Sequence, residues 1–440
     1  MRAKKRCCLI LAVFCLAAAS ALVAQEEPIA EPSEPMAEVA VVEEEAAPSA
    51  PFDVDAAVEA YLSRQTPEEK ASSDAYFEGG YWLQLWGILY TLGVAWLLLG
   101  SGLSAKMRDL AERIFRRRPL QTALYSIGYV VLTSLLFFPL AVYQGFFREH
   151  KYDLATQTFP GWLRDWAVDL GVSAILLAIL FMALYGVFRK LPRTWWLWGA
   201  VVSVVFLVFV MLIGPVYIDP LFNTYTPLDD PAVTDPILSM ARSNGIEVDN
   251  VYQFDASRQT TRVSANVSGF MGTMAIRLND NLLNRCSLAE IKEVMAHEIG
   301  HYVLNHIYEI IVYFGIVLVG GFAFVRWSFD RVRARWGQRW QVAGIGDVAG
   351  MPLLVALLAV YFFLMTPVMN TIIRVNEAEA DLFALHAAGE PDGAAEVALK
   401  LGEYRKLDPG PIEEWIFFDH PSGRSRIHMA MTWKAEHLDE

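Results

Sequence analysis

TWWLWGAVVSVVFLVFVMLIGPVYI, residues 194–218, carries no charged side chain. Wound as an α-helix at about 1.5 Å per residue it reaches roughly 37 Å, enough to cross the ~30 Å hydrocarbon core of a bilayer. Uncharged stretches of the same kind lie at 80–105, 119–147, 171–188 and 348–373, with a shorter one at 311–325. Six spans are therefore expected. The composition agrees, since 55% of the 440 residues are hydrophobic, only 19% are charged and the mean hydropathy is +0.32, more apolar than an ordinary soluble domain. The sequence thus describes a mainly α-helical polytopic membrane bundle whose first partner is the lipid bilayer. A net charge of -13 speaks against a nucleic-acid partner.

The chain opens MRAKKRCCLILAVFCLAAASALVAQ. Basic residues, a short apolar run and small residues in that order are the pattern of a secretory signal over residues 1–24, and an uncleaved N-terminal anchor fits the same residues. Residues 25–79 begin with QEEPIAEPSEPMAEVAVVEEE, in which acid, proline and alanine bury no core, so an acidic disordered linker is expected there. A four-span membrane domain should follow at 80–218. The section 219–440 then mixes polar sequence with spans at about 308–326 and 348–373. Three of the four cysteines, Cys7, Cys8 and Cys15, lie in the N-terminal run, which leaves Cys286 alone in the body and excludes a disulfide framework there.

Alternate loops carry the positive charge. Lys106, Arg108, Arg113, Arg116, Arg117 and Arg118 follow the first span, Arg189, Lys190 and Arg193 the third, and Arg326, Arg331, Arg333, Arg335 and Arg339 the fifth. Such loops stay in the cytoplasm, as does the basic start Arg2 to Arg6. The linker and both polar sections are then extracytoplasmic, in a bacterial inner membrane.

Within the first polar section, VMAHEIGHYVLNH (294–306) places two histidines and a glutamate among apolar residues. Ser287 and Glu290 form a capping box that starts a helix running to about His306. His297 and His301, four apart, stand one above the other and can reach one tetrahedral Zn²⁺. Glu298, one step round, can reach a water there. Random order of the same composition yields an HExxH pattern only about one or two times in a hundred, so a site is the better reading than satisfied core histidines. His306 falls off the shared face and reads as a helix-end residue. Gly300 weakens the helix but leaves its surface open beside the metal. Downstream, TIIRVNEAEADLFALH (371–386) crowds Glu377, Glu379 and Asp381 at one helix start, costly beside a membrane without a partner. Glu377 and Asp381 share a face, so one can ligate the metal while the other accepts from a ligating imidazole; spacing does not say which. Glu379 points elsewhere.

HEIGH at 297–301 followed by EAEAD at 377–381 resembles the type I CAAX prenyl protease family of integral-membrane zinc proteases. YIDPLFNTYTPL (217–228), NVSGFMGTMAIRLNDNLL (266–283) and DHPSGRSRI (419–427) resemble the same family in the same order, so the likeness spans about 80–440. It implies His297, His301 and Glu377 as ligands of one Zn²⁺ per chain, Glu298 as general base, and Asp381 behind a ligating imidazole. It also implies that Asn266 holds substrate backbone, and that His420 and Arg426 face the reacting group. The residues support part of this independently. Residues 262–284 alternate and turn at Gly269 to Gly272, a hairpin whose edge could add a substrate strand, and a histidine at 420 could stabilise an oxyanion. The family's usual seven spans are six here, with a signal-like segment and an acidic linker in place of the first.

The expected protein is a membrane-embedded zinc metalloendopeptidase with a small α+β zincin-type catalytic section, acting on a peptide or protein substrate; a monomer is favoured. The alternatives are a quality-control protease of the same chemistry and a non-catalytic scaffold or transporter.

Overall fold

A computed structural model describes residues 52–268 and 275–438. Among them five helices are long and apolar enough to cross a membrane: α2 (Pro67–Gly100), α4 (Arg118–Lys151), α5 (Phe159–Lys190), α6 (Trp195–Leu221) and α10 (His306–Trp340). α11 (Met351–Leu364) and α12 (Thr366–Ala388) pass the same test only as a pair, meeting at a bend of 56°, and counted as one span they bring the total to six. Each stretch singled out for its lack of charge overlaps one of these helices or the bent pair, the first running on past Gly100, where α2 ends. On the outer faces Trp82, Trp86, Trp96, Val205 and Ile316 are exposed, as side chains in contact with acyl tails must be. Inside, Leu98, Tyr125, Leu177, Tyr185, Phe322, Phe329 and Leu358 form one continuous core. Gly199 lets α6 and α10 approach closely, because a Cβ there would lie 2.9 Å from the Phe322 ring.

The helices begin earlier than expected. Within the expected linker, 25–79, α1 (Val54–Leu62) starts behind the N-cap Asp53, and α2 starts at Pro67 behind a Thr66/Glu69 capping box. Two local caps outweigh the acidic composition here. Val58 of α1 then packs against Leu385, Ile427 and Met431, and Arg64 makes a two-bond pair with Glu396 of α13 (Pro391–Leu401). The remainder of that stretch, with the signal or anchor at 1–24, lies outside the described residues.

The basic loops meet at one end of the bundle. Arg108, on the interfacial helix α3 (Leu103–Ile114), donates to Asp347 at 2.9 Å, and Arg189 donates to the Gly346 carbonyl at 2.9 Å.

At the opposite end a four-stranded sheet has the order β1-β2-β4-β3, with β1 (Tyr225–Pro227), β2 (Val251–Phe254), β3 (Ala265–Ser268) and β4 (Ala275–Asn279). β2 and β4 run parallel and the other pairs antiparallel. The strands of the expected hairpin are present; its turn lies outside the described residues. β3 is an edge strand. Ile276 and Leu278 of β4 pack on α7 (Pro231–Ser243) and, after the short α8 (Asp280–Arg285), on α9 (Leu288–Val303) through Met295 and Ile299.

One buried network ties this end to the spans. Glu149, at the end of α4 and fully buried, accepts from Tyr76 of α2 at 2.9 Å and from Arg262 at 3.0 Å, and Arg262 also reaches the Tyr76 hydroxyl at 3.1 Å. Losing one partner of such a buried pair costs about 3–5 kcal/mol. The network therefore fixes Arg262, and with it the chain entering β3.

Candidate metal centre

Helix α9 begins as expected, with the Ser287 hydroxyl accepting from the Glu290 amide and the Glu290 carboxylate accepting from the Ser287 amide. His297 and His301 point from one face of it toward α12. There Glu377 and Asp381 occupy successive turns of the facing helix. His297 Nε2 and His301 Nε2 lie 3.1 Å apart, Glu377 Oε2 lies 3.2 Å from the first, and Glu377 Oε1 lies 3.5 Å from the second. Asp381 is on the far side of His297, where Oδ1 accepts from Nδ1 at 2.8 Å. Arg426, on α15 (Gly423–Glu436), donates to the same carboxylate.

The close approach of α9 and α12 has a steric reason. A Cβ on Gly300 would sit 2.9 Å from the Phe383 ring. The glycine, expected to leave open surface beside a metal, instead makes room for the neighbouring helix that carries Glu377.

His420 comes from the loop between α14 (Pro411–Phe417) and α15. Its Nε2 lies 3.0 Å from Glu377 Oε2, and its Nδ1 donates to Asp419 at 2.8 Å. Glu298 lines the same cavity as His297, Glu377, Asp381, His420 and Arg426, together with residues 263–265, which lead into and begin edge strand β3. Asn266 is buried one residue further along, in register with Arg277 of β4. Arg426 stands behind Asp381 as well as on the cavity wall.

Sequence reasoning missed three residues. His306 is buried and its Nδ1 lies 2.8 Å from His301 Nδ1. The reading that it falls off the histidine face assumes an unbroken helix. In fact α9 stops at Val303, Asn305 takes a left-handed conformation (φ 61°), and α10 sets out anew with His306 turned back toward the site. The signal was Asn305, since asparagine tolerates that conformation better than most residues. Glu379, expected to point away, lies with Oε2 3.1 Å from His306 Nε2. Glu293, one turn before His297, is buried on the cavity wall with Oε2 unpartnered.

The donor set suits a divalent cation. His297, His301 and Glu377 present one ligand atom each within 4.8 Å of one another, all buried. Burial works against a charge on His297, yet its hydrogen bonds to Asp381 and Glu377 raise its pKa to about 9. The carboxylates of Glu377 and Asp381 beside these rings favour positive charge in the pocket, and two imidazoles with one carboxylate are borderline donors of the kind zinc takes.

Two family models match nearly all of the chain. Residues 227–434 match peptidase family M48, and residues 55–224 match the CAAX prenyl protease N-terminal region, described as five membrane helices; α2, α4, α5 and α6 lie in the second range. An uncharacterized metalloprotease of Bacillus subtilis is 28% identical over 366 residues, 83% of this chain and 86% of that protein. CAAX prenyl protease 1 of Saccharomyces cerevisiae is 33% identical over 184 residues, 41% of this chain and 40% of that protein. The crystal structure of Ste24p from S. mikatae aligns with a TM-score of 0.67 over 87% of this chain and 100% of that one, at 20% identity, a likeness of fold.

Burial, then the charge of Asp381, pushes the Glu293 carboxyl from its ordinary 4.5 up to about 8. A carboxyl raised on folding binds its proton more tightly in the native state, so stability is full below about pH 4.5 and falls as pH rises toward 8. Glu293→Gln cannot ionise. Thermal unfolding in detergent should show its advantage over the parent growing from pH 5 to pH 8; an advantage independent of pH would mean that Glu293 is ionised throughout.

Proposed function

The chain belongs to the CAAX prenyl protease family of M48 metallopeptidases, and from that premise we propose that it is a membrane-embedded zinc endopeptidase with His297, His301 and Glu377 as the metal ligands. The observation that carries this reading is the convergence of those three side chains, from two helices far apart in sequence, beside Glu298 in one cavity. Bound there, zinc supplies a Lewis acid for the scissile carbonyl and lowers the pKa of a water from 15.7 toward about 7.

The remaining work falls to side chains. Glu298 takes a proton from the attacking water and delivers it to the leaving amide nitrogen, a transfer that contributes about 100- to 10,000-fold. Asp381 accepts from His297 Nδ1 and so keeps the Nε2 lone pair of that ring aimed at the metal; Arg426 compensates the buried charge of Asp381. His420, oriented by Asp419, donates to the negative charge that develops on the carbonyl oxygen. Edge strand β3, with Asn266, takes the substrate backbone as a further strand, so that the scissile bond runs along the cavity wall.

The substrates are exported or membrane-associated peptides, and the catalytic section lies outside the cytoplasm of a bacterial inner membrane. The support is electrostatic: three basic loops share one end of the bundle, and the ligands lie with the sheet at the other.

Glu298→Gln should lower peptide cleavage by the purified protein at least about 100-fold while bound zinc stays at one per chain. Retained proteolysis, or loss of zinc together with activity, contradicts the role given to Glu298. A reporter that functions only in the cytoplasm, fused after Glu440, should stay silent; activity would reverse the orientation.

A further inference from the structure

Behind His301 lie groups to which peptide hydrolysis gives no role. His301 Nδ1 faces His306 Nδ1 at 2.8 Å, and His306 Nε2 faces Glu379 Oε2 at 3.1 Å. His306 is only 1% exposed, whereas the Glu379 side chain is 54% exposed. Glu309, one turn along α10 from His306, completes a second group of three possible metal donors, although its Oε2 already accepts from Asn376 at 2.8 Å. Two readings compete. Either His306, Glu309 and Glu379 hold a second cation, or His306 and Glu379 serve His301.

Proton counting separates them. A neutral imidazole has one N–H and one lone pair. His301 Nε2 points toward His297 Nε2 and Glu377, so a metal held there takes its lone pair and the ring proton must sit on Nδ1. That N–H points at His306 Nδ1, which must then present a lone pair. The His306 proton is left on Nε2, where it donates to Glu379. A cation on His306 Nε2 would instead put that proton on Nδ1 and set two N–H groups head to head at 2.8 Å. A metal at the first group and one at the second therefore exclude each other while this contact stands.

We infer that His306 and Glu379 are positioning residues for His301, a two-step relay from the metal ligand to a surface carboxylate. The inference rests on His297, His301 and Glu377 holding the metal. It explains an asymmetry of the centre: His297 has Asp381 directly on its outer nitrogen, while His301 reaches a carboxylate only through a second imidazole. Both arrangements fix the tautomer and ring plane of a ligand and raise its basicity. The left-handed turn at Asn305 is what brings His306 into line.

Zinc affinity of the purified full-length chain, measured by competition with a chromophoric chelator, tests the relay. The parent should take up one zinc. His306→Ala should bind it about 10- to 100-fold more weakly, with the heat resistance of the metal-free protein close to that of the parent. His306→Asn places a carbonyl oxygen near the former Nδ1 and should recover most of the loss. Glu379→Gln keeps an acceptor without the charge and should fall between. Should His306→Ala not fold, His306→Asn and Glu379→Ala make the same comparison, the second now the weaker binder. Unchanged affinity across these variants overturns the relay, as does a second zinc per parent chain that disappears in the His306 and Glu379 variants. A parent chain that takes up no zinc fails the metal centre itself; a parent that binds one zinc, with no effect of the variants, fails the relay alone.

Discussion

The structure turns on one carboxylate. Glu377 is 1% exposed, among three imidazoles drawn from two other segments of the chain. A carboxylate withdrawn from water costs several kcal/mol unless positive charge and hydrogen bonds compensate it. The surroundings are arranged to do so, and the tightness of α9 against α12 is the geometric consequence. Gly300 permits that contact, since any side chain there would strike Phe383. Glu377 thus links the two helices chemically as well as sterically.

The membrane spans give this contact its rigidity. α12 continues from α11 at a 56° bend, so the carboxylates ride on a helix joined directly to one that packs in the apolar core. On the other side, the buried Tyr76–Glu149–Arg262 network locks the entry to β3 against the ends of α2 and α4. Helix α12 and the edge strand are therefore fixed to the bundle by two different routes. A site that positions reacting groups to within about half an ångström needs such support.

Much of this is legible in the sequence. The spans are, because a run of some twenty residues without charge suits the bilayer interior and little else. So are the capping box at Ser287 and the pairing of His297 with His301, since a four-residue interval on a helix determines a shared face. What stays hidden depends on contacts or on single backbone angles. The Asp53 and Thr66 caps lie within a segment whose composition argues for disorder. Gly300 misleads because its neighbour, Phe383, is distant in sequence. His306 falls away from the site on paper because one left-handed residue, Asn305, interrupts the helix between it and His301, and Glu379 because its partner is that same displaced His306. The choice between Glu377 and Asp381 cannot come from spacing, as both share a face. The structure separates them by depth, with Glu377 between the Nε2 atoms and Asp381 on the outer Nδ1 of His297.

The central claim is that two imidazoles and one carboxylate from α9 and α12 hold a single zinc ion. X-ray absorption at the zinc edge of the purified full-length protein tests it directly. The account requires nitrogen and oxygen neighbours alone at about 2.0–2.2 Å, with the outer-shell scattering of two imidazoles, and loss of one oxygen neighbour in Glu377→Ala. A sulfur neighbour near 2.3 Å, or a zinc environment that Glu377→Ala leaves unchanged, would contradict it.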